Sequence, residues 1–396
     1  MKIFPAIVAV GYNRPDSMRR LLTSIGAASY PEGDVPLIVS IDECADSDQV
    51  AAVAEAFTWR HGTKTVRRFP ERQGLRRHIL SCGDLSEEYG AVIVLEDDLI
   101  VSPSFYLFAA QAANRYRGDA RICGTALYRH AWNGYAELPF APVQNGYDVF
   151  FGQFSITWGQ CWTDCQWKRF RTWYAEHEDR LPEANDALPA GVSRWGDKSW
   201  GRYFVSYIVE TDRYYAIPYI ALSTNASDAG EHNRISDNAH QVALLDGVKA
   251  LFELPDFDKG IRYDVFFERI FDDDFKIGGI DAKEICVNLN GTKQSTLGKS
   301  YVLTTDRANR ERIASFGLSL RPIDANITAN TAGEDICLVR AESNVLRLRF
   351  KRPGDARTNY ELYHFYWRVL LREGWKRFLM TLKGKCGVFF KRFAKQ

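Results

Sequence analysis

Five apolar residues, Ala91-Val92-Ile93-Val94-Leu95, run without a break into Glu96-Asp97-Asp98, and this junction constrains the fold more than any other stretch of the chain. An uninterrupted β-branched and aliphatic run reads as a strand buried on both faces, as in the middle of a largely parallel sheet. Ligands of such sheets bind beyond the carboxyl ends of the strands. Three carboxylates at that place suit a hard cation. Mg2+ or Mn2+ prefers oxygen ligands, retains water and is commonly shared between one or two carboxylates and the phosphates of a substrate. The junction therefore points to a metal-bound diphosphate; the alternative reading is a solvated acidic turn or the cap of the next helix.

Upstream, the pattern repeats. Ile3 to Val10 form an apolar strand, followed by Gly-Tyr-Asn-Arg-Pro-Asp and by Met18, Leu21, Leu22 and Ile25 at helical spacing, with Pro15 at the first helical position and Gly26 near the end. Val35 to Ile41 is a second strand, running into Asp42, with a helix from Asp46 through Phe57. Lys64 to Phe69 is a third, with a helical stretch reaching about Cys82. Each strand ends in polar residues: Asn13 and Arg14, then Asp42, then Arg72 and His78, then the acidic triplet. Four strand–helix units with such ends make a nucleotide crevice in an α/β, Rossmann-like sheet.

The order apolar strand, Asn-Arg-Pro-Asp, strand ending in Ser-Ile-Asp, then VIVLEDDLIVSPSF from Val92 to Phe105 resembles the GT-A glycosyltransferases, especially animal N-acetylglucosaminyltransferase I and related bacterial polysaccharide transferases. The resemblance covers about residues 3 to 240. Farther along, Thr157 to Phe170 looks like the Trp-Gly-x-x-Trp segment of the bacterial members, and the polar run from Ser223 to His232 resembles their loop ending in His. One departure is clear: where paired acids between two tryptophans are expected, this chain has Trp195-Gly196-Asp197-Lys198-Ser199-Trp200, with a single carboxylate.

The resemblance implies an inverting transfer of a sugar, an N-acetylhexosamine, from a UDP-sugar to a hydroxyl of a glycan or lipid-linked glycan. It implies direct metal coordination by Asp98, with Glu96 and Asp97 as outer or sugar and ribose contacts. Asp42 then reads the base or ribose, Arg14, Arg72 and His78 contact base or phosphate, and His232 binds diphosphate or completes the metal shell. Asp197 is the implied general base, with Asp164 and Asp212 as rivals and a helix cap as its other role. Trp158, Gly159, Trp162 and Trp195 are the implied acceptor contacts.

Six of the ten tryptophans lie between Trp158 and Trp200. Flat apolar rings beside hydrogen-bonding groups suit sugars, although such clusters also anchor cores; two of the six are expected in the cleft. The sequence divides into a transferase domain over 1–250 (nucleotide-binding half 1–125, acceptor half and a mobile loop 126–250), an accessory α/β unit over 251–350 and a tail over 351–396. The accessory unit reads β-β-α-β-β, with a helix from about Asp306 to Phe316, and its expected role is to brace the catalytic domain or shape the acceptor side.

Charge singles out the tail. It carries twelve Lys/Arg against three Asp/Glu, a net +9, leaving about −8 for the remainder of a chain whose formal charge is +1. Trp367, Leu370, Leu371, Gly374, Phe378 and Leu382 share one helical face flanked by Arg368, Arg372, Lys376 and Arg377, the pattern of a basic amphipathic helix at an anionic membrane surface; a terminal helix packed on the body is the alternative. Nucleic acid is a poorer partner, because the rest of the chain is acidic. With no secretory leader or spanning run, the expected setting is a bacterial cytoplasm, peripheral to the inner face of the plasma membrane. Competing functions are a noncatalytic carbohydrate-binding protein, which gives no reason for the acids, and a sugar-nucleotide nucleotidyltransferase, which would need a Gly-rich basic loop after the first strand. The missing G-x-G-x-x-G disfavours a dinucleotide oxidoreductase.

Overall fold

A computed structural model describes residues 2–179, 185–228, 238, 240–306, 311–346, 356–361 and 374–375. The chain falls into two units, Met1–Arg349 and Phe350–Gln396. In the first, β1 (Ala6–Gly11) leads into α1 (Pro15–Gly26), β2 (Leu37–Ile41) into α2 (Ser47–Ala56), and β3 (Lys64–Arg68) into α3 (Gly74–Asp84) and the short α4 (Ser86–Tyr89). Pro15 starts α1 where a missing N–H costs nothing, and Met18, Leu21, Leu22 and Ile25 form its buried stripe.

β4 (Ala91–Glu96) follows, and the acidic turn carries the chain into β5 (Leu99–Val101) and α5 (Phe105–Tyr116). β1 lies between β2 and β4 and is parallel to both, with Val10 opposite Glu96 and Gly11 opposite Ile41. β2 is parallel to β3. The expected parallel sheet, with four polar strand ends along one edge, is therefore present.

The second half completes the sheet with mixed directions. After β6 (Ile122–Ala126) come the hairpin strands β7 (Trp132–Asn133) and β8 (Leu138–Pro139), then β9 (Val149–Gly152), β10 (Gln160–Thr163), α6 (Asp164–Ala175), α7 (Trp200–Glu210), β11 (Tyr214–Pro218) and β12 (Ser223–Asn225). Among the described residues the sheet has ten strands, ordered 14-13-9-11-6-10-4-1-2-3, where β13 is Arg262–Tyr263 and β14 Arg269–Ile270. β10 is antiparallel to both β4 and β6.

Alternation along the strands divides the core. Val8, Val92 and Val94 face a cluster holding Trp162, Trp167, Phe170 and Phe204, whereas Ile7, Ala9, Ile93 and Leu95 face one holding Met18, Leu21, Phe105 and Phe108. On the first side α3 and α6 meet so closely that a Cβ at Gly83 would lie 2.2 Å from the Trp167 ring, which leaves no room for any side chain but hydrogen.

The segment from Ser223, expected to be irregular, begins as β12, antiparallel to β5. Of the mobile loop expected over Ser223 to Asn238, residues 229–237 lie outside the described residues. The boundary expected at 250 is crossed as well, because β13 and β14 belong to the large sheet. A two-stranded ribbon, β15 (Lys276–Ile277) and β16 (Ile280–Asp281), then precedes a four-stranded sheet of β17 (Ile285–Asn288), β18 (Tyr301–Thr304), β19 (Arg312–Phe316) and β20 (Ile336–Arg340). The helix expected over Asp306 to Phe316 is thus corrected at its described end. Arg312–Phe316 pairs antiparallel with β20, Phe316 opposite Ile336, so cross-strand burial overrides the local helical pattern. The helix of this unit is instead the four-residue α8 (Ala325–Thr328).

Seven described cysteines are free thiols. No helix among the described residues is long and apolar enough to cross a membrane. In the second unit α9 (Ala356–Glu361) carries an Arg357–Glu361 ion pair, and Trp375 is exposed; the amphipathic face expected along the tail otherwise lies outside the described residues.

Candidate active site

Because side chains alternate along β4, Glu96 shares the face of Val92 and Val94, and there it opens into a cleft of about 840 Å³. Glu96, Asp98, Asn225, Ser227 and Asp228 line its acidic end. Its other walls are largely aromatic: Tyr128, His130, Trp132, Tyr135, Phe154, Trp158, Trp195, Trp200 and Phe267. Asp197 and Lys198 also line it.

The acidic end is built by three tethers. Arg14, at the start of α1, forms an ion pair with Asp97 and lies 3.7 Å from Asp98 Oδ2. The carbonyl of Asp98 accepts the Ala226 N–H at 2.7 Å, which draws the end of β12 to the turn. Asp228 accepts hydrogen bonds from Ser17 Oγ at 2.6 Å and from the Arg20 guanidinium, both on α1. Burial raises the Glu96 carboxyl well above its usual range, and Asp98 and Asp97 raise it further against the pull of Arg14. Burial likewise pushes Asp97 up to about 6, opposed by Arg14. Burial also works against ionisation of Asp228, yet the hydrogen bonds from Arg20 and Ser17 hold it below the usual carboxylate range.

Four carboxyl groups thus face two guanidinium groups, and a bound cation would offset the repulsion that raises Glu96 and Asp97. Two buried oxygens, Asp97 Oδ2 and Asp98 Oδ1, have no hydrogen-bond partner among the described residues, so acceptor capacity is left at the place where a cation would need it. Among the described residues no three His, Cys, Asp or Glu side chains converge as a complete metal cage. The donor set fits a hard ion shared with a substrate's phosphates and water. His232, the expected additional ligand, lies outside the described residues.

Asp197 sits in the turn where Ser199 N–H bonds to the Gly196 carbonyl, ahead of α7. The cap of α7 is Ser199, which accepts from Arg202 N at 3.3 Å, so Asp197 is not spent on capping. The buried Arg202 also donates to the carbonyls of Ser193 and Trp195, pinning the segment that carries the acid. The rivals stand elsewhere: Asp164 opens α6 near Arg117, and Asp212 accepts from Gln153 and the Tyr214 hydroxyl.

Several expected contacts are engaged within the protein. Asp42 spends both oxygens on backbone N–H groups, those of Glu43, Gln73 and Gly74 at 2.7–2.9 Å, and so caps the start of α3. His78 is buried, 2.7 Å from Ser40 Oγ; burial lowers it to about 4, so at neutral pH it offers no charge to a phosphate. Arg72 is exposed, its guanidinium 5.0 Å over the Tyr12 ring. Trp162 is corrected from acceptor contact to core: it is fully buried, packs against Trp167 and Phe204, and donates to the Tyr215 hydroxyl. Gly159 is corrected likewise. At φ +95, with Ser223 Oγ 2.9 Å from where a Cβ would be, it serves the turn that brings β10 beside β4.

Three of the six clustered tryptophans, Trp158, Trp195 and Trp200, reach the cleft; Trp158 stacks on His240 at 4.7 Å. Sequence reasoning missed Asp228, His130, Trp132 and Phe267. Asp228 lay inside the polar run from Ser223 to His232, but its pairing with α1 spans a sequence separation of 208 that no local pattern carries.

No family model and no curated protein matches the chain. Among solved structures, S. aureus TarS 1–349 in complex with UDP is similar over 56% of this chain and 60% of that one, at 12% identity and a TM-score of 0.35. The same protein in complex with UDP-GlcNAc gives 11% identity and a TM-score of 0.36 over 58% and 60% of the two chains. A mannosyltransferase from Pyrobaculum calidifontis in complex with GDP-Man and Mn2+ gives 11% identity and a TM-score of 0.31 over 55% and 57%. The chain spans about three fifths of the length of these neighbours.

The burial of His78 has a measurable consequence. Its folded pKa, about 4, lies below the unfolded value of 6.5, so its neutral form contributes stability that is present above pH 6.5 and lost as pH falls toward 4. The loss is on the order of 3 kcal/mol. Urea titrations at pH 7 and pH 4.5 are expected to show a smaller difference for His78→Gln than for the wild type.

Proposed function

We propose that the chain is a nucleotide-sugar-dependent glycosyltransferase that moves a sugar, an N-acetylhexosamine, from a UDP-sugar to a hydroxyl of a glycan or lipid-linked glycan with inversion. The observation that carries this reading is the meeting, in one cleft, of carboxylates from the end of β4, the exposed acid Asp197 and an aromatic wall. A binding module would use the aromatic wall and have no need of the acidic end.

In this reading Asp98 and Asp97 would hold Mn2+ or Mg2+ through the carboxylate oxygens that have no hydrogen-bond partner among the described residues. A bound ion supplies charge neutralisation of the departing diphosphate, worth several kcal/mol in a transition state. Arg14 keeps the two acids in place and Asp228 ties the following loop to α1. Asp197, exposed on the cleft wall, accepts the proton of the acceptor hydroxyl as that oxygen attacks the anomeric carbon.

Two substitutions test the roles. Asp98→Asn is expected to lower UDP release from the donor by at least about 10^2 while melting like the wild type, and chelation should abolish wild-type turnover until Mn2+ or Mg2+ is restored. Turnover that persists in chelator would end the metal assignment. Asp197→Asn should lower kcat by about 10^2 or more with UDP affinity unaltered, because proton transfer is exerted in the transition state; parallel loss of both would make it a donor-binding or structural residue.

The tail has a separate role in this proposal, holding the enzyme at the cytoplasmic face of an anionic membrane where a lipid-borne acceptor is presented. Twelve basic residues interleaved with aromatic ones support it. Removal of residues 357–396 is expected to abolish co-sedimentation with phosphatidylglycerol vesicles and to preserve UDP binding. High salt should release the intact protein only in part, since aromatic burial is not screened.

A further inference from the structure

Among the described residues that line the cleft, Lys198 is the only lysine or arginine, set against the acids Glu96, Asp98, Asp197 and Asp228. Its side chain is exposed, and it forms no ion pair with a described residue. The acids that follow β4 and β12 have cations of their own. Arg14 pairs with Asp97 and lies 3.7 Å from Asp98, and Arg20 pairs with Asp228.

The fold gives no reason for a cation at this position. Lys198 directly precedes Ser199, the cap of α7, whose Oγ accepts the Arg202 N–H at 3.3 Å. This is the positive end of the helix dipole, where a carboxylate such as Asp197 is favoured and an ammonium group is not. The stability of α7 would be better served by a neutral or acidic residue. The backbone that carries Lys198 is nevertheless held firmly: the Arg202 guanidinium donates to the carbonyls of Ser193 and Trp195, and Ser199 N–H closes a turn on the Gly196 carbonyl at 3.1 Å. Trp195 and Trp200, on either side of the segment, also line the cleft.

We propose that Lys198 reads a negative charge on the acceptor, so that the acceptor is an anionic glycan whose sugar bears a carboxylate or a phosphate. This rests on the transferase reading, in which Asp197 meets the acceptor hydroxyl, and names the acceptor class for it. Asp197 and Lys198 are consecutive and both line the cleft, so a sugar that meets the first lies beside the second. An anion entering among four acids is repelled by each of them, and an ammonium group beside the point of attack offsets that repulsion. Its three N–H donors turn freely and form charge-assisted hydrogen bonds to carboxylate or phosphate oxygens, stronger than any they make to a neutral hydroxyl.

The test uses the full chain with Mg2+ and UDP, and titrates probes that share one ring: methyl β-D-glucopyranoside, its uronate and its 6-phosphate. At low salt the uronate, the phosphate or both are expected to bind at least about fivefold more tightly than the neutral glycoside, and the preference should shrink as salt is raised. Which anionic probe gains tells a uronic-acid acceptor from a phosphate-bearing one. Lys198→Gln should remove the preference, Lys198→Arg keep it and Lys198→Glu invert it. Affinity for the neutral glycoside and for UDP should stay within about twofold in all three, with melting like the wild type. Anionic probes that bind no more tightly than the neutral one, or a preference that survives Lys198→Glu, would overturn the proposal. So would UDP affinity that falls in step with the preference, which would give Lys198 to the donor diphosphate instead. A charge preference that follows Lys198 in a protein that binds no UDP would keep the anion site and remove the transferase reading; UDP binding without a charge preference would do the reverse.

Discussion

Everything in the cleft depends on β1 being parallel to both of its neighbours. With Val10 opposite Glu96 and Gly11 opposite Ile41, three strands end together, and the groups that follow them, Arg14, Asp42 and the acidic triplet, emerge along one edge of the sheet. Parallel strands require crossovers, and the crossover helix α1 puts Arg14, Ser17 and Arg20 where they meet Asp97, Asp98 and Asp228. The concentration of negative charge is thus a product of topology before it is a product of chemistry.

Once the acids are gathered, their electrostatics follow. Glu96 and Asp97 are raised by burial and by one another's neighbours, and Arg14 offsets only part of that cost. A divalent ion would suit such a site because its charge acts on all the carboxylates at once.

How far the sequence discloses this varies with the range of the forces involved. The first four strands are legible because their periodicity is local and strong: α1, for example, is written in Pro15, Met18, Leu21 and Ile25. The acidic end is legible for the same reason, since Glu96 to Asp98 are consecutive. Burial is not local, and that is where the reading fails. Trp158 and Trp162 look alike in sequence, yet the turn at Gly159 leaves one ring at the cleft, and the packing of α6 and α7 over β10 buries the other in the core. His78 resembles a phosphate contact by placement, but its ring points at Ser40 under the sheet. Arg312 to Phe316 loses a helical tendency to pairing with β20, a partner some twenty residues away.

The reversed direction of β10 carries a consequence for how such a protein can change. Gln160 is opposite Val94 at the start of β10, and the Gly159 turn just before it brings Trp158 into the cleft that Glu96 also lines. The strand that ends in Glu96 and the strand that follows Trp158 are therefore hydrogen-bonded neighbours in one sheet. The short ribbon at Trp132, by contrast, is a two-stranded sheet of its own, so a change there can alter the lining of the cleft without disturbing the strands that carry the acids.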